Sequence, residues 1–498
     1  MGAVGFMWRG TKRTVKIAAL LIFAVIATVF VVRAVDSQRG PPLDRWHTYH
    51  PPELSRSELA RADLAAYMAA EDKAFAGVKA NVTDKVDPED RVRFNRYFAS
   101  SPIYPPGFAQ DFNRTYVLQP KAREDGGEPA GAAVFLHGLT DSPYSHRHLA
   151  QLYADHGFIA IVLRLPGHGT VPGSLTEIGH EEWIAATRLA MREARRRVGP
   201  DRPVHIVGYS NGGALALMHA LDALDDPALV RPARIVLMSP MVGVTEFARF
   251  AGLAGLPAIF PAFAKAAWLN IVPEFNPFKY NSFPVHAARE SFALTQLLQA
   301  NIERHARSGR LTGLAPVLTF QSVLDHTVSA RAVIEQLHAR LEDNGSELVL
   351  FDINRSGQFE DLLTRRSDTA IATLLPPAPR RFRTAVIGNA APGAATTVVR
   401  ETPAGAREET VRPLSAPYPD DVYSLSHVAV PFPLSDGLYG LDPDPAEKFG
   451  IRLGDIAARG EYGALVVGVD MLVRMSSNPF FPYLEERVAA GLPPARAP

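Results

Sequence analysis

The chain has 498 residues, and its 52 basic and 52 acidic side chains give a formal net charge of zero. This balance gives no support for binding to nucleic acid or to a strongly acidic partner. The absence of cysteine excludes disulfides, thiolate metal sites and cysteine nucleophiles. The length allows two or three domains, or one large α/β domain with insertions.

An uncharged apolar run, IAALLIFAVIATVFVV, occupies residues 17–32. Lys16 and Arg33 flank it and can reach the headgroups, so the run is long enough to cross a bilayer. The basic residues ahead of it predict that the N-terminus stays inside and that the remainder of the chain is exported. We expect an uncleaved anchor over residues 1–36. The alternative is a signal sequence that is cleaved after Ala34.

Residues 37–128 form a polar extension. Its first prolines predict an extended linker. The motif Ser55-Arg56-Ser57-Glu58 has the form of a capping box, and apolar residues at near-helical spacing follow it. We therefore expect one amphipathic helix, packed on the domain or bridging to the membrane, and a strand pair over residues 108–118. The apolar positions of the predicted helix are Leu59, Leu64, Met68, Phe75 and Val78.

Strands and helices alternate from residue 132 onward. Continuous apolar strands between amphipathic helices predict an α/β fold with a mostly parallel sheet covered on both faces. Functional residues of such folds lie at the carboxyl ends of the strands. The predicted strands are 132–136, 158–163, 204–207, 234–238, 317–321 and 347–351, and the predicted helices are 145–155, 181–198 and 328–341.

The motif Gly208-Tyr209-Ser210-Asn211-Gly212 lies between the strand 204–207 and a helix of small residues. This is the context in which G-x-S-x-G forms a nucleophile elbow. The serine needs a strained backbone at the sharp turn, and side chains at 208 and 212 would collide with their neighbours. Ser210 is therefore the predicted nucleophile. The N–H of Asn211, at the helix N-terminus, points toward an oxyanion that forms beside it.

Two segments interrupt the alternation. Residues 241–313 are rich in aromatic and apolar side chains, which predicts a helical cap over the strand ends with an apolar acyl pocket on its underside. Residues 354–419 predict an insertion or partly disordered loop with two short strands, 384–387 and 397–399. A strand over 464–469 and a helix over 483–490 are expected near the C-terminus.

An imidazole activates the serine, and a carboxylate orients the imidazole. In this fold the acid follows the serine and precedes the histidine. Asp325 lies in the turn after strand 317–321 and is the predicted acid, although it could equally be a helix N-cap. Asp352, after the next strand, is the second candidate.

His427 is the predicted base because, of the 15 histidines, it alone follows the last core strand in a loop. His326 adjoins Asp325 too closely in sequence to meet it in the required geometry. The long separation from Asp325 requires the inserted segment to fold away from the site.

The turn after the first core strand, His137-Gly138-Leu139, predicts the second oxyanion donor. Gly138 allows close backbone approach, so the N–H of Leu139 would join that of Asn211. In the loop Leu165-Pro166-Gly167-His168-Gly169, we expect His168 to orient the backbone.

The motifs VFLHGLTDSPYS, LRLPGHG and GYSNGG, the strand that ends in Asp325 and the loop that carries His427 together resemble the α/β-hydrolase superfamily. They are most similar to its carboxylesterase and monoacylglycerol-lipase-like branch, the lysophospholipase and serine-aminopeptidase-like group. The resemblance covers residues 132–350 and the His427 loop. It implies a Ser210 nucleophile, an Asp325–His427 relay, backbone donors at Leu139 and Asn211, and an ester substrate.

The sequence thus predicts a membrane-anchored, exported serine hydrolase that cleaves carboxylic esters, with lipid-like acyl esters such as monoacylglycerols or lysophospholipids as substrates. No metal, cofactor or nucleic acid is expected. A peptidase with the same triad would need an acidic cluster in the cap, for which Glu274 and Glu290 are the candidates. The other alternative is a non-catalytic binding module. The expected segments are the anchor 1–36, the extension 37–128, the first core part 129–240, the cap 241–313 and the second core part 314–498.

Overall fold

The computed structural model describes residues 2–120, 127–243, 255–325, 327–355, 370–419, 422–454 and 474–495. The strands are β1 (Tyr116–Leu118), β2 (Gly131–Leu136), β3 (Phe158–Leu163), β4 (Val204–Tyr209), β5 (Arg234–Met238), β6 (Trp268–Asn270), β7 (Phe283–Pro284), β8 (Val317–Ser322), β9 (Glu347–Phe351), β10 (Arg383–Asn389), β11 (Thr397–Thr402), β12 (Thr410–Leu414), β13 (Ser424–Leu425) and β14 (Arg474–Met475).

The helices are α1 (Gly2–Asp36), α2 (Arg45–Thr48), α3 (Arg56–Arg61), α4 (Leu64–Asn81), α5 (Arg147–Asp155), α6 (His180–Val198), α7 (Asn211–Asp225), α8 (Val285–Arg307), α9 (Ala330–Ala332), α10 (Ala370–Leu374) and α11 (Phe481–Ala489). Short 3-10 segments join several of them, including Pro143–His146, Leu256–Ile259 and Pro261–Ala267.

Ten strands form one sheet in the order β1-β3-β2-β4-β5-β8-β9-β10-β11-β12. The strands from β3 to β10 in this order pair in parallel, and β1, β11 and β12 pair antiparallel at the two edges. The inner strands β2, β3, β4, β8 and β9 are buried along their whole length. Helices α6, α7 and α8 cover one face, and α5 and α11 cover the other. The predicted α/β sheet with two covered faces is therefore confirmed.

The predicted core strands and the helices α5 and α6 are confirmed with boundaries that differ by two residues or fewer. The helix predicted over 328–341 is instead the short α9 followed by one π turn and one 3-10 turn, Val333–Leu337 and His338–Arg340. The strand pair predicted over 108–118 is wrong, because only β1 forms there. The preceding prolines of Pro105–Gly107, which lack an N–H, form a 3-10 turn.

The single helix predicted in the extension is also wrong, since α3 and α4 are separate helices. The Ser55 capping box begins α3, with Ser55 N donating to Glu58 Oε2 at 2.8 Å. Asp63 then begins α4 by accepting a hydrogen bond from Ala66 N at 2.8 Å. Capping side chains of this kind favour a new helix start over continuation, and Met68 of the predicted apolar stripe is exposed.

The two short strands predicted within 354–419 form as β10 and β11, and a third strand, β12, which was not predicted, follows them, so the described part of the insertion extends the sheet. Within its described part, β10 pairs in parallel with β9, and β11 and β12 follow antiparallel. The described part of the expected cap combines short 3-10 helices with the β6–β7 pair, and α8 packs on α7 in the helical layer of the core. The segments 244–254 and 356–369 and the predicted strand 464–469 lie outside the described residues.

The segment Val15–Asp36 of α1 has a mean hydropathy of 2.8 over its most apolar window and is exposed in that window. By length and composition it can cross a membrane, a property that anchors and signal sequences share.

A buried ion cluster joins the extension to the core. The guanidinium of Arg164, which follows β3, donates to Glu53 Oε1 at 2.7 Å and to Glu71 Oε1 at 3.0 Å. All three side chains are 5 % exposed or less. Tyr67 of α4 also donates to the Arg164 carbonyl at 2.6 Å. The extension is thus packed into the core beside the loop that follows β3.

We expect Arg164→Met to lower the free energy of unfolding by about 3–5 kcal/mol, because Glu53 and Glu71 would remain buried without their cation. The matched control is Arg56→Met. Arg56 pairs with Glu181 at 3.1 Å, but both side chains are exposed, so the expected loss is about 0–1 kcal/mol. Denaturant unfolding of both variants tests this prediction, and equal losses would contradict it.

Burial favours the neutral form of six histidine rings in the folded state. Burial lowers their pKa, to about 4 for His47, His146 and His219 and to about 3 for His168, His205 and His338. In the unfolded chain the same rings bind protons near pH 6.5. Between these values the unfolded state binds more protons, so stability is present above about pH 6.5 and falls as the pH falls.

We therefore expect the melting temperature of the full chain in detergent to fall steadily as the pH is lowered from about 7 to about 4.5. His50, whose side chain is exposed, supplies the control variant His50→Gln, in which the six buried rings are retained and the fall should persist. A melting temperature that is flat over this interval would show that the buried rings do not control acid stability.

Candidate active site

Ser210 lies in the turn between β4 and α7 with φ 54° and ψ −116°. This positive φ is strained for a residue with a side chain. The turn is held from both sides: Ser210 N donates to Met238 O at 3.0 Å, and the Ser210 carbonyl accepts from Met241 N at 3.0 Å. A Cβ on Gly208 would collide with the carbonyl of Gly212, and one on Gly212 with the carbonyl of Leu136. The glycines therefore allow the crowded turn that the sequence predicts.

The side chains of Asp325 and His427 meet although 102 positions separate them. Asp325 follows β8 at the carboxyl end of the sheet. Its Oδ2 lies 2.7 Å from Nδ1 of His427, and both side chains are buried. A carboxylate accepts only, so Nδ1 carries the proton and Nε2 remains as the basic nitrogen.

The second oxygen of Asp325 is occupied by backbone. Oδ1 accepts from Thr327 N at 2.9 Å and from Val328 N at 3.0 Å. Gln321 of β8 adds a hydrogen bond from Nε2 to Oδ2 at 3.0 Å. One oxygen of Asp325 thus binds the turn and the other binds the imidazole, and the N-cap of α9 is Ser329 instead of Asp325. Asp352 lies after β9, where its N–H donates to Ile387 O at 2.8 Å.

Tyr209, the residue before Ser210, contacts His427. The hydroxyl of Tyr209 donates to the His427 carbonyl at 3.4 Å, and the two rings lie 5.4 Å apart. From the other side, a Cβ on Gly138 would lie 3.2 Å from Cβ of Ser210. The loop after β2 therefore adjoins Ser210, and the loop that carries His427 adjoins the preceding Tyr209.

The loop after β2 presents the N–H of Leu139, and the first residue of α7 presents the N–H of Asn211. Within the described part of the chain, neither N–H donates a hydrogen bond. His137 holds this loop: Nδ1 donates to Gly138 O at 2.8 Å, and Nε2 accepts from Leu165 N at 3.0 Å. Burial lowers the pKa of His137, so the ring stays neutral and can both donate and accept.

The cap contributes a contact that the sequence analysis missed. Tyr280 N donates to the carbonyl of Thr140 at 2.7 Å, and the Tyr280 hydroxyl donates to Gly167 O at 3.1 Å. Tyr280 thus joins the loop after β2 to the loop after β3. Nothing local in the sequence distinguishes Tyr280 from other cap aromatics. Gln321, in contrast, is a polar residue in an apolar strand four positions before Asp325, which is a usable signal.

The acidic candidates in the cap are already bound by protein groups. Glu274 is buried and accepts from Asn281 N at 3.0 Å and from Ser282 N at 2.8 Å. Glu290 lies 2.6 Å from Nδ1 of His180. His168 donates from Nδ1 to Pro166 O at 3.1 Å, and His326 lies outside the described residues. In the described ranges, no three His, Asp or Glu side chains are grouped to hold a metal.

Comparisons with known proteins agree with this topology. The sequence profile of the alpha/beta hydrolase family matches residues 133–352. The thermostable monoacylglycerol lipase of Bacillus sp. (strain H-257) is 26% identical over 211 residues, which are 42% of this chain and 75% of the lipase.

Solved structures of lipolytic enzymes also align with the chain. One, described with the metagenome-derived enzymes LipS and LipT, aligns with 49% of this chain and 88% of its own, at 21% identity and a TM-score of 0.37. The monoacylglycerol lipase of Paleococcus ferrophilus aligns with 48% of this chain and 87% of its own, at 17% identity and a TM-score of 0.35. The profile match, together with the strand order and the turn at Ser210, shows that the core of this chain has the α/β-hydrolase fold.

Proposed function

We propose that the protein is a serine hydrolase that cleaves carboxylic esters through an acyl-enzyme, with Ser210, Asp325 and His427 as its triad. The hydrogen bond of 2.7 Å between Asp325 and His427, beside the strained turn of Ser210, is the observation that carries the proposal. An imidazole with a protonated Nδ1 and a free Nε2 is the form needed to accept the serine proton.

The reaction follows from this arrangement. His427 Nε2 takes the proton of Ser210 as Oγ attacks the ester carbonyl, and the N–H groups of Leu139 and Asn211 bind the resulting oxyanion. His427 then gives the proton to the leaving alcohol, which leaves an acyl ester on Ser210. Water attacks this ester with His427 as base, and the acid and the free serine are released.

We infer that the substrates are lipid-like acyl esters of one chain, such as monoacylglycerols or lysophospholipids. A relative that is 26% identical is named a monoacylglycerol lipase, and the described cap carries exposed apolar residues. We further propose that α1 remains as a single-pass anchor and that the catalytic domain is exported, as the basic residues before the apolar run favour.

The alternatives have less support. A peptidase that binds a free amino terminus needs available carboxylates, but Glu274 and Glu290 are bound by protein groups. A non-catalytic binding module would have no need for the buried Asp325–His427 pair, whose desolvation is costly.

Fluorophosphonate labelling of the full chain tests the nucleophile. We expect labelling of the wild type at Ser210 and none in Ser210→Ala. Asp325→Asn should lower kcat for a short-chain ester by roughly 10⁴-fold, because the amide favours the wrong imidazole tautomer. His156→Gln, which changes a half-buried histidine at the C-terminus of α5, should keep full activity. A folded wild type that is not labelled would rule out the serine hydrolase.

A second prediction concerns the positioning residue His137. We expect His137→Phe to lower kcat roughly 10²-fold with a small change in KM, because the Leu139 N–H loses its alignment with the oxyanion. His338→Gln is the matched control, since His338 is equally buried but binds Thr319 Oγ1 at 2.9 Å. The control should lower the melting temperature and leave kcat unchanged. Equal kcat in His137→Phe and wild type would refute the positioning role.

A further inference from the structure

The last turns of α1 pack against the cap. Arg33 Nη2 donates to the carbonyl oxygens of Trp268 at 2.7 Å and Ala266 at 3.5 Å. One turn earlier, the ring of Phe30 meets the ring of Phe260 edge-on at 6.3 Å. The end of the apolar helix is therefore held by a specific surface of the catalytic domain.

The chain that leaves α1 is held by the same surface. Gln38 Nε2 donates to Ala262 O at 2.8 Å. The ammonium of Lys265 lies 2.8–3.3 Å from the carbonyl oxygens of Arg39, Gly40 and Pro41. We call this set of contacts, between residues 30–41 and 260–268, the helix–cap junction.

The junction sets the depth of the cap relative to a bilayer. A helix rises 1.5 Å per residue, so Phe30 lies about 4.5 Å deeper in the apolar segment than Arg33, which is at its end. An arginine at the end of a spanning helix lies at headgroup level. Phe260, which touches Phe30, must then lie at or below that level.

The cap exposes an apolar surface beside this point, which we call the cap face. Ile259 is 73% exposed and Phe260 51%. Exposed apolar residues that cluster in this way mark an interaction surface. The cap face consists of Leu256, Ile259, Phe260 and Leu269.

We propose that the cap face inserts into the leaflet in which α1 ends. Continuity with the spanning helix identifies the occupant, because hydrocarbon that surrounds Phe30 also surrounds its neighbour Phe260. The inference deepens the proposed function and rests on it for the reaction. It means that the ester substrate is taken from the leaflet in which α1 ends.

The cap face is connected to the loop after β2, which carries Leu139. Trp268, whose carbonyl binds Arg33, begins β6, which pairs with β7. Between these strands the cap chain reaches Tyr280, whose N–H donates to the carbonyl of Thr140. One short cap segment thus joins the membrane surface to the loop that carries Leu139.

The depth of a fluorophore on the cap face, measured in a bilayer, tests the insertion independently of catalysis. Because the chain has no cysteine, Ile259→Cys provides a single site for an NBD fluorophore in the full chain, reconstituted in phosphatidylcholine vesicles. We expect blue-shifted emission that is quenched by lipids with a nitroxide near the glycerol. Val411→Cys, at an exposed position of β12, is the control and should stay in water.

Three results would overturn the proposal. One is NBD at position 259 that emits as in water. Another is a fluorophore that is shielded but not quenched by the nitroxide lipids, which would indicate a second copy of the chain on the cap face. The last is an intact mass showing that residues before 35 have been removed from the protein in membranes.

Activity measurements connect the surface to substrate. We expect Ile259→Glu/Phe260→Glu to lower the ratio of vesicle-borne monoacylglycerol hydrolysis to soluble short-chain ester hydrolysis by roughly tenfold, because two large apolar side chains leave the bilayer. An unchanged ratio would contradict the proposal. If the wild type hydrolyses no ester while the fluorophore at position 259 is still quenched by the nitroxide lipids, the proposed function is refuted and the insertion is supported.

Discussion

The close approach of backbones around Ser210 is the constraint on which the rest of the site depends. The serine has a positive φ, and the carbonyl of Leu136 and the backbone of α7 leave no space for side chains at Gly208 and Gly212. The same crowding brings Gly138 against Ser210, so that the loop after β2 can present an N–H next to the hydroxyl. The proposed nucleophile and its proposed oxyanion donors are thereby placed by close backbone packing, and the buried ring of His137 supports the loop after β2.

The second constraint is the return of the chain from Asp325 to His427. The intervening residues would separate Asp325 from His427 if they lay over the strand ends. Instead, the described strands β10, β11 and β12 continue the sheet at its far edge, where their backbone groups find partners and the site stays open. Ser322 Oγ donates to Leu425 O at 2.8 Å, which ties the end of β8 to the strand that precedes His427.

Buried contacts hold the extension and the cap, which both lie outside the core, next to the loop after β3. The extension is held by the buried Arg164 cluster, and the cap is held by Tyr280 and by the buried Arg96, which donates to Asn276 O at 3.3 Å and to Gly169 O at 3.3 Å. The loop after β3 is therefore fixed by both. Buried ionic groups need precise partners, so these contacts define where the cap lies relative to the loop after β2.

The sequence alone determined the features that depend on local periodicity and sterics. Apolar runs predicted the core strands, and the glycines around Ser210 predicted the crowded turn, because both signals lie within a few residues. The order of Ser210, Asp325 and His427 gave the candidates for the triad, whose roles remain a proposal. Only the tertiary structure decided that Asp325, and not Asp352, binds His427, that the insertion extends the sheet, and that Tyr280 and Arg33 join the cap to its neighbours. These contacts join residues far apart in the chain, and their energies depend on burial and distance, which no local pattern records.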